Sequence, residues 1–266
     1  MFKCLQEFLR KTDKKILMLF IYRFFINFIL LLSPIILIYR LLKKKEDINR
    51  FKEKFCFFSK KRSYGKLLWF HGASVGEIQS IIPLIEKFEK SQEIKKILIT
   101  SNTLSSSKIF QKIKLKKTIH QFFPIDTNYF NKKFLNYWRP SAAFFIDSEI
   151  WPNTINNLNK KKIPIILLNA RITENSFNKW KKLSYFSNDI FSKINLCLAS
   201  SKQSKKYLKQ LGVKNIKLIG NIKFSQSENE KILNSESKVK RFISNKKTWC
   251  ASSTHRTEEL LCGSCS

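Results

Sequence analysis

One carboxylate stands directly behind a run of small residues in "HGASVGE", residues 71–77, just before the predicted start of a helix. Ser74 and Glu77 have the S-x-x-E spacing of a capping box, in which the two side chains satisfy free amides at a helix start. The same small residues would also let a substrate hydroxyl approach Glu77, and an ionised carboxylate there could accept its proton. Taken alone, the stretch favours the cap and leaves general-base catalysis open.

Polar side chains able to bind ligands or move protons follow several other apolar runs of the chain. They are Ser101, Asn102, Thr103, Asp147, Glu149, Asn169, Arg171 and Lys223. In an open parallel sheet the carboxyl ends of the strands share one edge, where ligands bind. One such residue is usually a cap or a turn residue. Five loops with this chemistry predict a site at that edge, formed by residues far apart in the sequence.

The elements that must position these residues follow the pattern of a parallel α/β fold, because short apolar runs alternate with segments of helical period. The predicted strands are 66–70, 96–100, 142–146, 163–168, 195–199 and 216–219, with a weaker one near 119–123. The predicted helices are 77–90 with a bend at Pro83, 104–116, 127–137, 151–160, 173–192 and 201–211, the last ended by Gly212.

The N-terminal segment 16–42 is strongly apolar, and its longest uncharged stretch runs over 16 residues, 24–39. This is slightly shorter than the roughly 20 residues expected of a spanning helix. The flanking residues suited to a membrane interface are Tyr22, Arg23, Tyr39 and Arg40. No small-residue cleavage site follows, which argues against a signal peptide. We therefore predict an N-terminal membrane anchor in residues 1–45, either spanning or interfacial.

The chain carries 51 Lys and Arg against 19 Asp and Glu, a net charge of +32. Such an excess indicates anionic partners, which include nucleic acid, phosphorylated substrates and anionic membrane lipids. The lysines are spread along the whole chain, as in proteins of AT-rich genomes. Without a localised basic stripe or a recognised binding motif, the sequence argues against nucleic acid.

Cys262 and Cys265 have a C-x-x-C spacing, but no second pair or histidine pair completes a zinc site. We expect no metal and no other cofactor. The six cysteines are expected to be reduced and cytosolic.

Six segments in order resemble the 3-deoxy-D-manno-octulosonic acid (Kdo) transferases of lipid A biosynthesis. They are "WFHGASVGE", "FFPID", "RPSAAFFIDSEIWPN", "IPIILLNARIT", "IGNIKF" and "ASSTHRTEE". The resemblance implies a glycosyltransferase of the GT-B type, with two Rossmann-like domains and a hydrophobic anchor helix. It implies transfer of Kdo from CMP-Kdo to a lipid A precursor, at the cytoplasmic face of the inner membrane, in lipopolysaccharide biosynthesis.

The resemblance also implies roles for individual residues. Glu77 matches the general base of the family, and Asp147 stands where the family usually has a glutamate that supports the transition state. Lys223 matches a cation that would offset charge on the departing phosphate. The residues expected to line the substrate site are Ser74, Gly76, Glu149, Asn169 and Arg171.

The domain organisation implied by this resemblance has an acceptor-binding Rossmann-like domain at 46–224, a linker at 225–247 and a stub of the donor-binding domain at 248–266. Thr257 stands where the family has glycine. We expect the second domain to be almost entirely missing. Two interpretations therefore stay open: a Kdo transferase, or an inactive remnant or acceptor-binding half that lacks the donor site. A separately encoded C-terminal half would be the partner of such a half-enzyme.

Overall fold

A computed structural model describes residues 2–112 and 115–222, with side chains at 15–108 and 115–222. Lys223, the predicted linker 225–247 and the predicted stub 248–266 lie outside the described residues, so their predictions stay untested.

The described chain forms one seven-stranded sheet in which every neighbouring pair is parallel, as predicted. The strands are β1 (Lys66–His71), β2 (Ile94–Ser101), β3 (Thr118–Phe122), β4 (Ala142–Ile146), β5 (Ile165–Ala170), β6 (Leu196–Ala199) and β7 (Ile216–Leu218). Five of the six residues of β1 are buried, because helices cover both faces of the sheet.

Nine helices accompany the sheet in the described residues. They are α1 (Phe2–Leu42), α2 (Val75–Ser80), α3 (Ile82–Lys90), α4 (Leu104–Lys112), α5 (Asn128–Trp138), α6 (Pro152–Lys160), α7 (Glu174–Lys182), α8 (Ser184–Phe191) and α9 (Lys202–Gln210). The predicted helix 77–90 is two helices, because Pro83 lies in the first turn of α3, where its missing N–H costs least. The predicted helix 173–192 also divides, at Leu183, whose ψ of 43° is not helical.

The strand order, β3-β2-β1-β4-β5-β6-β7, places a change of direction at the centre of the sheet. From β1 the chain builds outward to β3, then crosses back to start β4 on the other side of β1. The loops that leave β1 and β4 therefore diverge, and a crevice opens between them at the carboxyl edge. Ligands of open α/β sheets bind at this kind of switch point.

The charged connector between α1 and β1, residues 43–65, is packed into the domain through a short 3₁₀ helix, Phe51–Phe55. Its Glu53 is 1% exposed and accepts a hydrogen bond from the backbone N–H of Phe122 at 2.8 Å. Arg50 pairs with Glu53 at 2.9 Å and donates to the carbonyl of His120. The connector thus covers the edge strand β3.

Helix α1 runs over 41 residues, and an 18-residue window within its section Lys15–Leu42 has a mean hydropathy of 2.2, with 6% of that window buried. Among the described residues it is the single helix long and apolar enough to cross a membrane. Tyr22 and Arg23, expected at a membrane interface, instead contact the α/β domain. Tyr22 donates to Asp126 at 2.7 Å, and Arg23 donates to Asn153 at 2.9 Å.

Candidate functional site

The Glu77 carboxylate forms the predicted capping box at the start of α2. The Ser74 hydroxyl accepts from the backbone N–H of Glu77 at 3.3 Å and donates to Glu77 Oε1 at 2.8 Å. The other oxygen, Oε2, accepts from the backbone N–H of Ala73 at 2.8 Å. These contacts hold a half-buried carboxylate at the mouth of the crevice beside β1.

The two glycines of the loop have different surroundings. A Cβ on Gly72 would lie 3.0 Å from Ile78 Cδ1 and 3.3 Å from Glu77 Cβ, so a side chain there would disturb the packing. A Cβ on Gly76 would meet no atom within 4 Å. A side chain at Gly72 would therefore press on its neighbours, whereas Gly76 leaves open space next to Glu77.

Glu149 is fixed in orientation by two aromatic side chains. The indole of Trp151 donates to Glu149 Oε2 at 2.8 Å, and His71 Nε2 lies 3.2 Å from the same oxygen. His71 is fully buried at the end of β1, with its Nδ1 3.0 Å from the hydroxyl oxygen of Thr100. The loop after β4 is thereby joined to the end of β1.

Asn169 links three strand ends. Its Nδ2 donates to Asp147 Oδ1 at 2.5 Å, and its Oδ1 accepts from the backbone N–H of Ile222 at 3.1 Å. Asp147 and Asn169 have φ angles of 55° and 52°, in the left-handed region that aspartate and asparagine tolerate better than most residues. Asn169 is thus a positioning residue that brings the segment before Lys223 to Asp147.

Arg171 is exposed beside this cluster. Its carbonyl accepts a hydrogen bond from the Ser148 hydroxyl, and its backbone N–H lies 3.4 Å from the Asp147 carbonyl. The backbone of Arg171 is therefore held beside Asp147 and Ser148, while its side chain is exposed.

Electrostatic interactions connect the three carboxylates. Burial raises the pKa of Glu77, and the charges of Glu149 and Asp147 raise it further, against the hydrogen bonds from Ser74 and Ala73. Burial also acts to raise the pKa of Glu149, but the hydrogen bond and charge of His71, together with the Trp151 indole, outweigh it and lower that pKa. The site therefore pairs a carboxylate of increased proton affinity with one that stays ionised.

The cavity at this site is small, so its size does not distinguish the site from the rest of the surface. The space beside Asp147 and Arg171 measures about 70 Å³, whereas a cavity of about 770 Å³ lies at the opposite edge of the sheet, near Arg62 and Arg139. In the residues whose side chains are described, no group of three histidine, cysteine, aspartate or glutamate side chains is arranged to hold a metal ion. The switch-point position and the carboxylate chemistry identify the site instead.

The structure brings together most of the predicted site residues: Ser74, Gly76, Glu77, Asp147, Glu149, Asn169 and Arg171. His71 and Trp151 were not predicted to be site residues. His71 does follow an apolar strand directly, which is the signal that applied to Glu77. Trp151 gave no such signal, because the hydrogen bond from its indole to Glu149 is seen only in the folded chain.

Comparisons with known proteins show which family the chain resembles. The family model described as 3-deoxy-D-manno-octulosonic-acid transferase (kdotransferase) matches residues 49–226. A 3-deoxy-D-manno-octulosonic acid transferase of Rickettsia bellii is 37% identical over 242 residues, which cover 90% of this chain and 57% of the relative. The protein of the same name from Haemophilus influenzae is 27% identical, over 73% of this chain and 46% of its own length.

Solved structures that match part of this chain include a UDP-GlcNAc 2-epimerase from Neisseria meningitidis, with a TM-score of 0.46 and 15% identity over 67% of this chain and 54% of that chain. The Staphylococcus aureus protein MnaA in complex with UDP has a TM-score of 0.48 and 13% identity, over 69% of this chain and 52% of that chain.

The chain spans about half the length of the relatives that it matches. Because the family model covers residues 49–226 and therefore the described sheet from β1 to β7, the chain belongs to the 3-deoxy-D-manno-octulosonic-acid transferase family.

Proposed function

We propose that the chain carries the acceptor-binding and proton-accepting part of a glycosyltransferase that moves Kdo from CMP-Kdo to a lipid A precursor. The observation that carries the proposal is the half-buried Glu77 carboxylate at the switch point, whose pKa is raised by burial and by Glu149 and Asp147. A carboxylate of raised proton affinity is a stronger general base. Its neighbours come from the loop after β4, on the opposite side of the crevice.

In the proposed reaction, Glu77 accepts the proton of an acceptor hydroxyl while the hydroxyl oxygen bonds to the anomeric carbon of Kdo. The bond from that carbon to the CMP phosphate oxygen breaks, and its electron pair stays on the phosphate. A cation at Lys223 would offset this charge. The proton then leaves Glu77 for solvent, which restores the base.

The capping contacts support this role as well as the fold. Ser74 and Ala73 hold the carboxylate through hydrogen bonds, which fixes its position before a substrate arrives. The open space beside Gly76 gives a hydroxyl a path to it. Asn169 and Arg171 would line the same crevice, and Glu149 would stay ionised to orient polar groups of the acceptor.

We place the enzyme at the cytoplasmic face of the inner membrane, where lipid-linked acceptors are accessible. The apolar helix α1 and the net charge of +32 support contact with anionic lipids.

The test is transfer of Kdo in detergent, with CMP-Kdo, a lipid A precursor and the full chain. Glu77→Gln is the informative variant, because glutamine also forms the capping box and so removes the base while keeping the cap. We expect transfer to fall about 100-fold to 10,000-fold with an unchanged melting temperature. Glu174→Gln, in the first turn of α7, is the matched control and should keep full activity.

Wild-type activity in Glu77→Gln would refute the general-base role. Acceptor binding without transfer by the wild-type chain would instead support the acceptor-binding half. In that case transfer should be restored by adding a donor-binding domain from a relative.

A further inference from the structure

Over residues 22–41, helix α1 is covered along one face only. From residue 22 to residue 41, its buried and half-buried positions are Tyr22, Arg23, Ile26, Leu30, Ser33, Leu37, Arg40 and Leu41. These positions recur every three or four residues, so they form one continuous stripe along the helix. Three long polar side chains, Tyr22, Arg23 and Arg40, are in the stripe.

The start of the stripe is fastened to the α/β domain by Tyr22 and Arg23. The Tyr22 hydroxyl donates to the buried carboxylate of Asp126 at 2.7 Å, and its ring lies 6.5 Å from that of Phe186. Arg23 Nε donates to Asn153 Oδ1 at 2.9 Å. This arginine therefore contacts the first turn of α6.

The end of the stripe is fastened to the same domain through a buried carboxylate. Arg40 Nε and Lys54 Nζ both lie 2.6 Å from Glu46 Oε1, and the Glu46 side chain is 1% exposed. The carbonyl of Lys54 accepts a hydrogen bond from the backbone N–H of Ile125 at 3.1 Å. The Arg40 end is thus held through Glu46 and Lys54, in the segment that leads into the domain and pairs with it at Ile125.

These fastenings fix the direction of the helix. Residues 22 and 40 are separated by about 27 Å along the axis, at about 1.5 Å per residue. If the helix crossed the roughly 30 Å of a bilayer core, one of these two ends would lie on the opposite side of the membrane from the α/β domain. Since both ends are held to one domain, the helix lies alongside it.

The opposite face of α1 is exposed and, apart from Asn27, strongly apolar. Its residues are Phe24, Phe25, Phe28, Ile29, Leu31, Leu32, Ile35, Ile36, Ile38 and Tyr39, each at least 39% exposed. No charged residue lies between Arg23 and Arg40. Exposed lysines follow at 43–45, where they can reach lipid phosphates. An exposed apolar face of this length is typical of a helix that lies at the boundary between the headgroups and the acyl chains of a bilayer.

We propose that α1 lies in the plane of the membrane interface, with its apolar face in the lipid and its stripe on the domain, and that it does not cross the bilayer. The proposal rests on the membrane location given above but not on Kdo transfer. Topology is measured without substrate, so a failure of the proposed function leaves this test intact.

The test is protease protection of the full chain with an N-terminal epitope tag, in sealed inside-out vesicles of the inner membrane. An in-plane helix keeps the tag and the α/β domain on the same side. We therefore expect added protease to remove the tag and to cleave the domain without detergent. A tag that stays protected until detergent is added would mean a spanning helix and would overturn the proposal.

A pair of variants tests the lipid contact itself. Phe28→Glu combined with Ile35→Glu places two charges on the apolar face and should move the protein from the membrane pellet to the soluble fraction. Tyr64→Glu, a fully exposed aromatic residue near the start of β1, is the matched control and should stay in the pellet. Pelleting unchanged by the double variant, or a wild-type protein found as a soluble dimer held through α1, would contradict the proposal.

Discussion

His71 Nε2 lies 3.2 Å from Glu149 Oε2, although 78 residues separate the two side chains in the sequence. This contact joins the end of β1 to the loop after β4, the two segments that form the walls of the switch-point crevice. His71 is fully buried, so its ring has a fixed position between Thr100 and Glu149. The orientation of Glu149 is therefore determined by the sheet and not by its own loop alone.

The Trp151 indole makes the second contact to Glu149. We expect a substitution that removes this contact to lower activity, although it changes no charge. Trp151→Phe removes the N–H donor at 2.8 Å and keeps an aromatic ring. We expect kcat/KM for Kdo transfer to fall about 10-fold, because small displacements of site groups are costly in catalysis.

Trp138→Phe is the control for ring size and for the loss of an indole N–H. The Trp138 indole donates to Gln121 at 3.1 Å, and its ring packs on Phe134 and Tyr137, outside the carboxylate cluster. It should lose a similar amount of thermal stability and keep its activity. Equal activity losses in both variants would mean that packing, and not the indole hydrogen bond, is responsible.

Removal of the Asp147 charge should change the pH dependence of transfer. The charge of Asp147 contributes to the raised pKa of Glu77, whose ordinary value is 4.5. A raised pKa means that the base is protonated, and inactive, over a wider acidic range. In Asp147→Asn the pKa of Glu77 falls, so the acidic limb of the kcat/KM profile should move to lower pH even if the maximum is reduced.

The profile should be measured between pH 4.5 and 8. Asp189→Asn removes a charge from α8, where Asp189 pairs with Lys193, and should leave the limb in place. If the acidic limb does not move in Asp147→Asn, the charge of Asp147 does not affect the pKa of the catalytic base.

The two glycines of "HGASVGE" predict opposite results for the same substitution. Gly76→Ala adds a methyl group to open space near the start of a helix, where alanine is favoured by up to about 1 kcal/mol. We expect unchanged or higher stability and a raised KM for the acceptor, because the methyl group occupies the space that its hydroxyl would use.

Gly72→Ala places its Cβ 3.0 Å from Ile78 and should lower the melting temperature. Thermal unfolding and acceptor kinetics of both variants check the pair. A Gly76→Ala variant with an unchanged KM would show that the acceptor approaches Glu77 from another direction.

The sheet and the convergence of its loops were predictable from sequence, because both follow from local patterns and from the geometry of parallel strands. The strand 142–146 was predicted with its observed bounds. Pro83 signalled the break between α2 and α3 as a bend, whereas the break at Leu183, with its non-helical ψ of 43°, had no glycine or proline to signal it. Contacts between distant residues had no local signal. Asp126 is the extreme case: it accepts hydrogen bonds from Tyr22 of α1 and from the backbone N–H groups of Asn153 and Thr154 in α6.

The stability of the domain should fall steeply in acid because of His120. Burial and the charge of Arg50 lower the pKa of this histidine to about 3, from an ordinary value of 6.5. Between pH 6.5 and about 3, the unfolded chain binds a proton at His120 that the folded chain does not bind. The free energy of unfolding therefore decreases as the pH is lowered, by up to about 1.4 kcal/mol per pH unit.

His120→Gln removes this titration, so its stability deficit relative to wild type should shrink as the pH falls from 7 to 4. Urea unfolding in detergent at each pH unit measures the deficit. The glutamine can still pair with Ser101, whose hydroxyl contacts His120 Nε2 at 2.9 Å, so the fold should persist. A deficit that stays constant over this range would mean that His120 binds a proton equally well in the folded and unfolded chain. The acid sensitivity would then have to come from the buried carboxylates.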